Sequence, residues 1–113
     1  MVDITVIRNA AWVVKWDDQD GKQIYLRNAD VAFSKAEIVH VGKRFNGNIT
    51  NEIEGRDRLV MPGLIDLQIN GGGGVMFNDA PTRDTLRRMI RAARRGGTAH
   101  ILPTFITAPG TGY

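Results

Sequence analysis

Two mostly apolar runs on either side of a single amphipathic helix constrain this chain more than any other feature. Leu59-Val60-Met61 leads through Pro62-Gly63 into Leu64-Ile65-Asp66-Leu67-Gln68-Ile69-Asn70. That run has the pattern of a strand covered on both faces, the habit of parallel sheets. The second run, Ala99-His100-Ile101-Leu102, stops at Pro103. Between them Leu86, Met89, Ile90 and Ala93 recur at i, i+3, i+4 and i+7, which predicts a helix. Thr82 suits its N-cap, Asp84 suits the positive end of the helix dipole, and Gly96-Gly97 ends it. Strand, helix and strand in this order read as a right-handed β-α-β unit over residues 59–106. One helix on a two-stranded parallel sheet leaves both edges and one face open, so this unit is not expected to be a finished domain.

The first half alternates like an antiparallel sheet. Ile4–Ile7 and Ala11–Trp16 are rich in β-branched and aromatic residues, and Asp17–Lys22 supplies a polar turn containing Gly21. Gln23–Leu26 and Asp30–Phe33 resume strand character, and Glu37–Val41 follows a short turn at Ser34-Lys35-Ala36. Residues Phe45–Asn51, with Asn46-Gly47-Asn48 inside, form a hairpin or loop signal. Trp12 and Trp16, four apart, share a face and are expected in core or edge packing. The fold class is therefore β plus α/β. Residues 1–58 form a small β unit, 59–107 a β-α-β unit, and 108–113, without periodicity, a tail.

Composition narrows the function classes. With 42% hydrophobic and 24% charged residues among 113, the chain reads as a globular protein rather than a disordered one. No window has the roughly 18 consecutive apolar residues of a membrane helix, and Asp3 stands where a secretory signal carries bases, so a cytoplasmic setting without a membrane partner is expected. The absence of cysteine excludes disulfides, thiolate metal sites and a cysteine nucleophile. Net charge is +3, but Thr82–Arg95 holds six arginines against Asp84, a local +5 that leaves −2 for the rest. Arg83, Arg87, Arg91 and Arg94 lie on the face opposite the apolar stripe, as an amphipathic helix requires, and no aromatic residues are interleaved for base stacking. A solvated face is the expectation, with nucleic-acid binding as the alternative.

Gln68-x-Asn70-Gly71-Gly72-Gly73-Gly74 lies at the carboxyl end of the first apolar strand, where α/β enzymes place ligand contacts. Gln68 and Asn70 point to one side and can offer amides to a substrate or a metal-bound water. Gly71 and Gly72 would let backbone N–H groups approach a ligand; a permissive turn is the competing reading. The glycines lack dinucleotide-binding spacing. His40 and His100 have no ligand-spaced neighbours and read as structural. Asp66, an acid inside an apolar strand, needs either a hydrogen-bond partner or a catalytic role.

Val60-Met61-Pro62-Gly63-Leu64-Ile65-Asp66 resembles the first barrel strand of the amidohydrolase superfamily. Its continuation, Leu67 to Asp79 with the Gln-x-Asn-Gly-Gly-Gly-Gly block, is similar to the N-acetylglucosamine-6-phosphate deacetylases, and Gly97–Thr107 looks like their second strand. The N-terminal part fits the superfamily's small β-sandwich. Within it, Ala11–Val14 and Ile24–Val31 look more like the leader of deaminase-type amidohydrolases.

This resemblance implies the start of a (β/α)8 TIM barrel in a metal-dependent hydrolase that removes acetate from an amino sugar phosphate. Many members end the first strand in His-x-His; Gln68 and Asn70 stand at those positions, and amides are poor zinc ligands. The implied site holds a zinc-like divalent metal on residues from later strands. The family's metal ligands, catalytic aspartate and phosphate-binding residues match nothing in this chain. No catalytic residue, no metal ligand and no tightly bound metal are therefore expected here, with Gln68, Asn70, Gly71 and Gly72 forming the substrate or metal neighbourhood. Such a barrel needs about 250 residues, and fewer than half of these 113 lie from Leu59 onward. An inactive N-terminal fragment is expected. The alternative is a non-catalytic module that pairs through open strand edges with itself or with the missing barrel portion.

Overall fold

Strand-forming residues in the first half build longer elements than their local runs predict. In the computed structural model, which describes residues 2–107 and 109–110, Ile4–Ile7 and Ala11–Trp16 merge into one strand, β1 (Thr5–Asp17). Gln23–Leu26 and Asp30–Phe33 likewise merge into β2 (Lys22–Phe33). A bulge joins the two parts of β1, with a register shift between Ile7 and Ala10 and Asn9 at φ 52°. Asparagine tolerates this left-handed conformation better than most residues, and the extra residue re-aims the strand without ending it.

Antiparallel pairing accounts for only part of this sheet. β3 (Ile38–Gly42) pairs antiparallel with β2, but β4 (Asn51–Glu54) and β5 (Leu59–Val60) both run parallel to β1. The order is β3-β2-β1-β4, with β5 also on β1, so the sheet is mixed where an antiparallel one was expected. Phe45–Asn51 is a connecting loop rather than a hairpin turn, because the strand it feeds returns parallel to β1. Contacts divide the chain into Met1–Pro62 and Gly63–Tyr113. Leu59 and Val60 pair with β1 and so are held within the first of these.

The core of the first unit gathers Ala10, Val13, Ala29 and Val31, with Ile7, Leu26, Val41 and Val60 packed against it. Trp12 and Trp16 stay outside it, 43% and 58% exposed, with the Arg27 guanidinium 5.0 Å from the Trp12 ring centroid. Arg8 and Asp30, by contrast, are buried and form an ion pair. Arg8 also donates to Glu52 (3.0 Å) and to the Phe45 carbonyl (2.8 Å). The bulge frees the Asn9 N–H to donate to Asp30 Oδ1 at 2.9 Å, and the Phe45 N–H donates to Oδ2 at 2.9 Å. Burial alone would push the Asp30 carboxyl up, yet these two N–H donors and the Arg8 guanidinium hold it below the ordinary carboxylate value. Hydrogen bonds to Asp30 and Glu52 raise Arg8 in turn.

In the second unit, β6 (Leu64–Ile69) and β9 (Thr98–Pro103) pair parallel, with α1 (Arg83–Arg95) between them in sequence. The glycine block supplies two further short strands, β7 (Gly71–Gly72) and β8 (Val75–Met76). Helix signals hold as read: Thr82 Oγ1 accepts from the Thr85 N–H, and the Gly96 N–H returns to the Ala93 carbonyl. Met89 is fully buried, and all six helix arginines are exposed. The expected coverage of β6 is not found. Leu64, Ile65 and Leu67 are 50%, 63% and 71% exposed, since this unit holds one strand partner and one helix to cover them. Among the described residues the fold is thus mostly strands with one helix, and that helix is not long and apolar enough to cross a membrane. Of the expected tail, Ala108 and residues 111–113 lie outside the described residues.

Candidate functional site

The carboxyl end of β6 leads directly into the glycine block, and the block folds as a tight hairpin. Gly71 faces Met76 and Gly72 faces Val75. Gly73 and Gly74 make the turn at φ 66° and 80°, the pair of positive values that a two-residue type I′ connection demands. A side chain at Gly73 would meet the helix: a Cβ there falls 3.0 Å from the Arg88 carbonyl oxygen and 3.3 Å from the Ala92 Cβ. Conformation and close packing together therefore explain why glycine stands at this tip.

Amide side chains bind this hairpin to the segment after β9. Asn70 Nδ2 donates to the Thr104 carbonyl (3.1 Å) and to Thr104 Oγ1 (2.9 Å), while the Thr104 N–H donates to the Ile69 carbonyl at 2.9 Å. Asn78 uses both ends of its amide on one residue, donating to the Ile106 carbonyl (2.7 Å) and accepting from its N–H (2.8 Å). The Phe77 and Phe105 rings lie 5.0 Å apart in a tilted arrangement. A cavity of about 460 Å³ lies beside this region, lined by Gly74, Val75, Met76, Asp79, Ala80 and Thr85.

Among the expected site residues, Asn70, Gly71 and Gly72 are partly buried, and Gln68 is exposed one turn of the pleat earlier. The Asp66 carboxylate accepts the Gln68 N–H at 3.1 Å, so it has a local hydrogen bond. His40 bonds the Lys43 carbonyl at 2.6 Å and packs its ring 5.4 Å from Phe45, a structural role. His100 is exposed on β9. Nothing local in the sequence marks Asn78 and Thr104 as contact residues. Their partners lie 28 and 34 positions away, and no local spacing encodes a pairing at that range.

The donor set does not fit a metal. Among the described residues no three His, Cys, Asp or Glu side chains are placed to hold an ion. Gln68 and Asn70 contribute only amides, and the Asn70 nitrogen is already committed to Thr104.

No family model matches the chain. An N-acetylgalactosamine-6-phosphate deacetylase of Shewanella sp. (strain ANA-3) is 56% identical over 48 residues, covering 42% of this chain and 12% of that protein. The solved N-acetylglucosamine-6-phosphate deacetylase of Pasteurella multocida aligns with 96% of this chain at a TM-score of 0.77 and 29% identity, over 27% of its own length. The chain resembles the N-terminal portion of the N-acetylglucosamine-6-phosphate deacetylases. It spans about an eighth of the length of the curated deacetylases it matches. A triazine hydrolase is also similar, with a TM-score of 0.51 and 31% identity over 58% of this chain and 14% of that one, and it places the likeness within the amidohydrolase superfamily.

Proposed function

We propose that this chain is the N-terminal part of a metal-dependent amidohydrolase that hydrolyses the acetamide C–N bond of an amino sugar phosphate, and that the chain by itself is inactive. The alignment of nearly the whole chain with the Pasteurella deacetylase carries this reading. Residues up to Pro62 then belong to a β-sandwich, and β6, α1 and β9 are the first β-α-β step of a (β/α)8 barrel. In such barrels ligand contacts gather at the carboxyl ends of the strands, which is where Gln68 and Asn70 stand. With Asn70 Nδ2 held by Thr104, its Oδ1 is the atom left to accept a hydrogen bond from substrate. The chain's own work is to orient substrate; a divalent ion would be held by residues of the barrel's later strands, since among the described residues no group fits one.

A chimera tests the reading. Residues 2–107 would replace the matching segment of the Pasteurella enzyme, and acetate release from N-acetylglucosamine-6-phosphate would be followed. The expected result is an active chimera and an isolated chain that releases no acetate with or without added divalent metal. A folded, metal-loaded chimera without activity, or an active isolated chain, overturns it.

A second reading, a non-catalytic module that pairs with itself or with a complementing barrel chain, is supported by the exposed apolar residues of β6 and by its two-stranded sheet. A discrete dimer in sedimentation would favour it; a well-folded monomer would remove it.

A further inference from the structure

We propose that the outer face of α1 binds a compact phosphate-type polyanion, for which inorganic pyrophosphate is the probe, in the cleft between Arg88, Arg91, Arg95 and the tip of the glycine hairpin. The cleft has a volume of about 170 Å³ and is lined by Gly73, Arg88, Arg91, Ala92 and Arg95. At roughly 30 Å³ for each water displaced, it has room for a small anion.

Two observations separate this face from an ordinary solvated one. A solvated helix face usually offsets bases with acids three or four positions away. This helix has one such pair, Asp84 with Arg87 at 3.3 Å, and among the described residues Arg88, Arg91 and Arg95 have no carboxylate partner. Arg88 with Arg91, and Arg91 with Arg95, are like-charge neighbours at i+3 and i+4 that weaken the helix, and a shared anion reverses that repulsion. The second observation is that the charges border a wall. Gly73 presents bare backbone so close to the helix that a Cβ would touch the Arg88 carbonyl and Ala92, so the hairpin tip closes one side of the cleft.

The residue type fits the ligand class. Guanidinium groups stay charged at all physiological pH values and meet phosphate oxygens with two parallel N–H donors each. Nucleic acid fits less well, because among the described residues no aromatic side chain lines the cleft for base stacking.

Calorimetric titration of the chain with sodium pyrophosphate, at fixed low ionic strength, tests the proposal. The expected result is saturable binding that weakens at least tenfold in Arg91→Gln, weakens in Arg88→Lys, which keeps the charge and loses the fork, and is unchanged in Arg83→Gln at the start of the helix. Far-UV circular dichroism confirms that each variant keeps its helix; if Arg91→Gln does not, Arg88→Lys decides. Absence of saturable binding, or equal weakening by Arg83→Gln and Arg91→Gln, overturns the site. So does tighter binding of a short single-stranded oligonucleotide, or of anionic vesicles, at equal phosphate concentration.

Discussion

The unit Met1–Pro62 buries Val6, Ala10, Val13, Ala29, Val31 and Ala32, whereas among the described residues Gly63–Tyr113 buries Met89 alone of its apolar side chains. The second unit has 20 apolar residues among 51, against 28 among 62 in the first, so composition alone does not explain the contrast. It leaves Leu64, Ile65, Leu67 and Leu102 each half or more exposed. Burying side chains of this size contributes about 1.5–3 kcal/mol apiece, so β6 and β9 forgo several kcal/mol that their sequence is composed to gain. The first unit packs its sheet on a core and satisfies its buried charges. The second is held by a capped helix, a glycine hairpin and hydrogen bonds from the side-chain amides of Asn70 and Asn78, a framework of polar contacts.

The largest expected effect breaks the better-packed side. Asp30→Ala leaves the buried Arg8 with only the exposed Glu52 as charge partner and orphans the Asn9 and Phe45 N–H groups, at a cost of about 3 kcal/mol. Both tryptophans lie in the first unit and the one helix lies in the second. Tryptophan fluorescence and 222 nm ellipticity therefore read the units separately in a urea titration. Fluorescence should move to lower urea while ellipticity holds; equal shifts would show that the two units unfold as one. The same carboxylate sets a pH dependence. Its folded value lies below its unfolded one, so its stabilisation is complete above the unfolded carboxylate value near 3.9 and is lost as pH falls through the folded value. Asp30→Asn should flatten the acid limb of the fluorescence transition, and an unchanged limb would remove Asp30 as its cause.

A smaller effect probes the second unit. Gly73 and Gly74 share positive φ, but a Cβ at Gly74 meets nothing within 4 Å. Gly74→Ala should cost about 1 kcal/mol from conformation alone, and Gly73→Ala about 2 kcal/mol, because the helix must also give way. Unfolding followed at 222 nm measures the difference. Equal costs would mean that the hairpin tip does not press on α1.

What the sequence made legible was local. Thr82, the Leu86 to Ala93 spacing and Gly96-Gly97 located the helix because capping and periodicity act within a few residues. The Gln-x-Asn-Gly block carried the family resemblance because a tight turn against a helix admits few residue types. The apolar run of β6 does not report its burial, since one strand partner and one helix decide how much of it is covered. The parallel return of β4 and β5 to β1, and the Arg8 and Asp30 pair 22 positions apart, were invisible because nothing local encodes them. Asn70 could be read as a strand-end amide, but its engagement with Thr104 depends on the register of β6 against β9.

The smallest predicted effect is the most specific to the polar framework. Asn78 replaces a strand neighbour for Ile106, supplying the acceptor and the donor that a sheet partner would offer. Both bonds lie at the surface, where a hydrogen bond to water competes, so their net worth is about 1 kcal/mol together. Global unfolding would barely register the loss in Asn78→Ala. Amide exchange registers it directly, because the Ile106 N–H has the Asn78 carbonyl oxygen as its acceptor at 2.8 Å. In Asn78→Ala the Ile106 amide should exchange about fivefold faster, the factor that ~1 kcal/mol implies. The Thr104 amide, bonded to the Ile69 carbonyl, should keep its rate. If both amides quicken together, Asn78 supports the whole segment after β9 rather than one residue of it. If neither changes, the segment is held by the Phe77 and Phe105 contact, and the contrast between an apolar first unit and a polar second one loses its clearest instance.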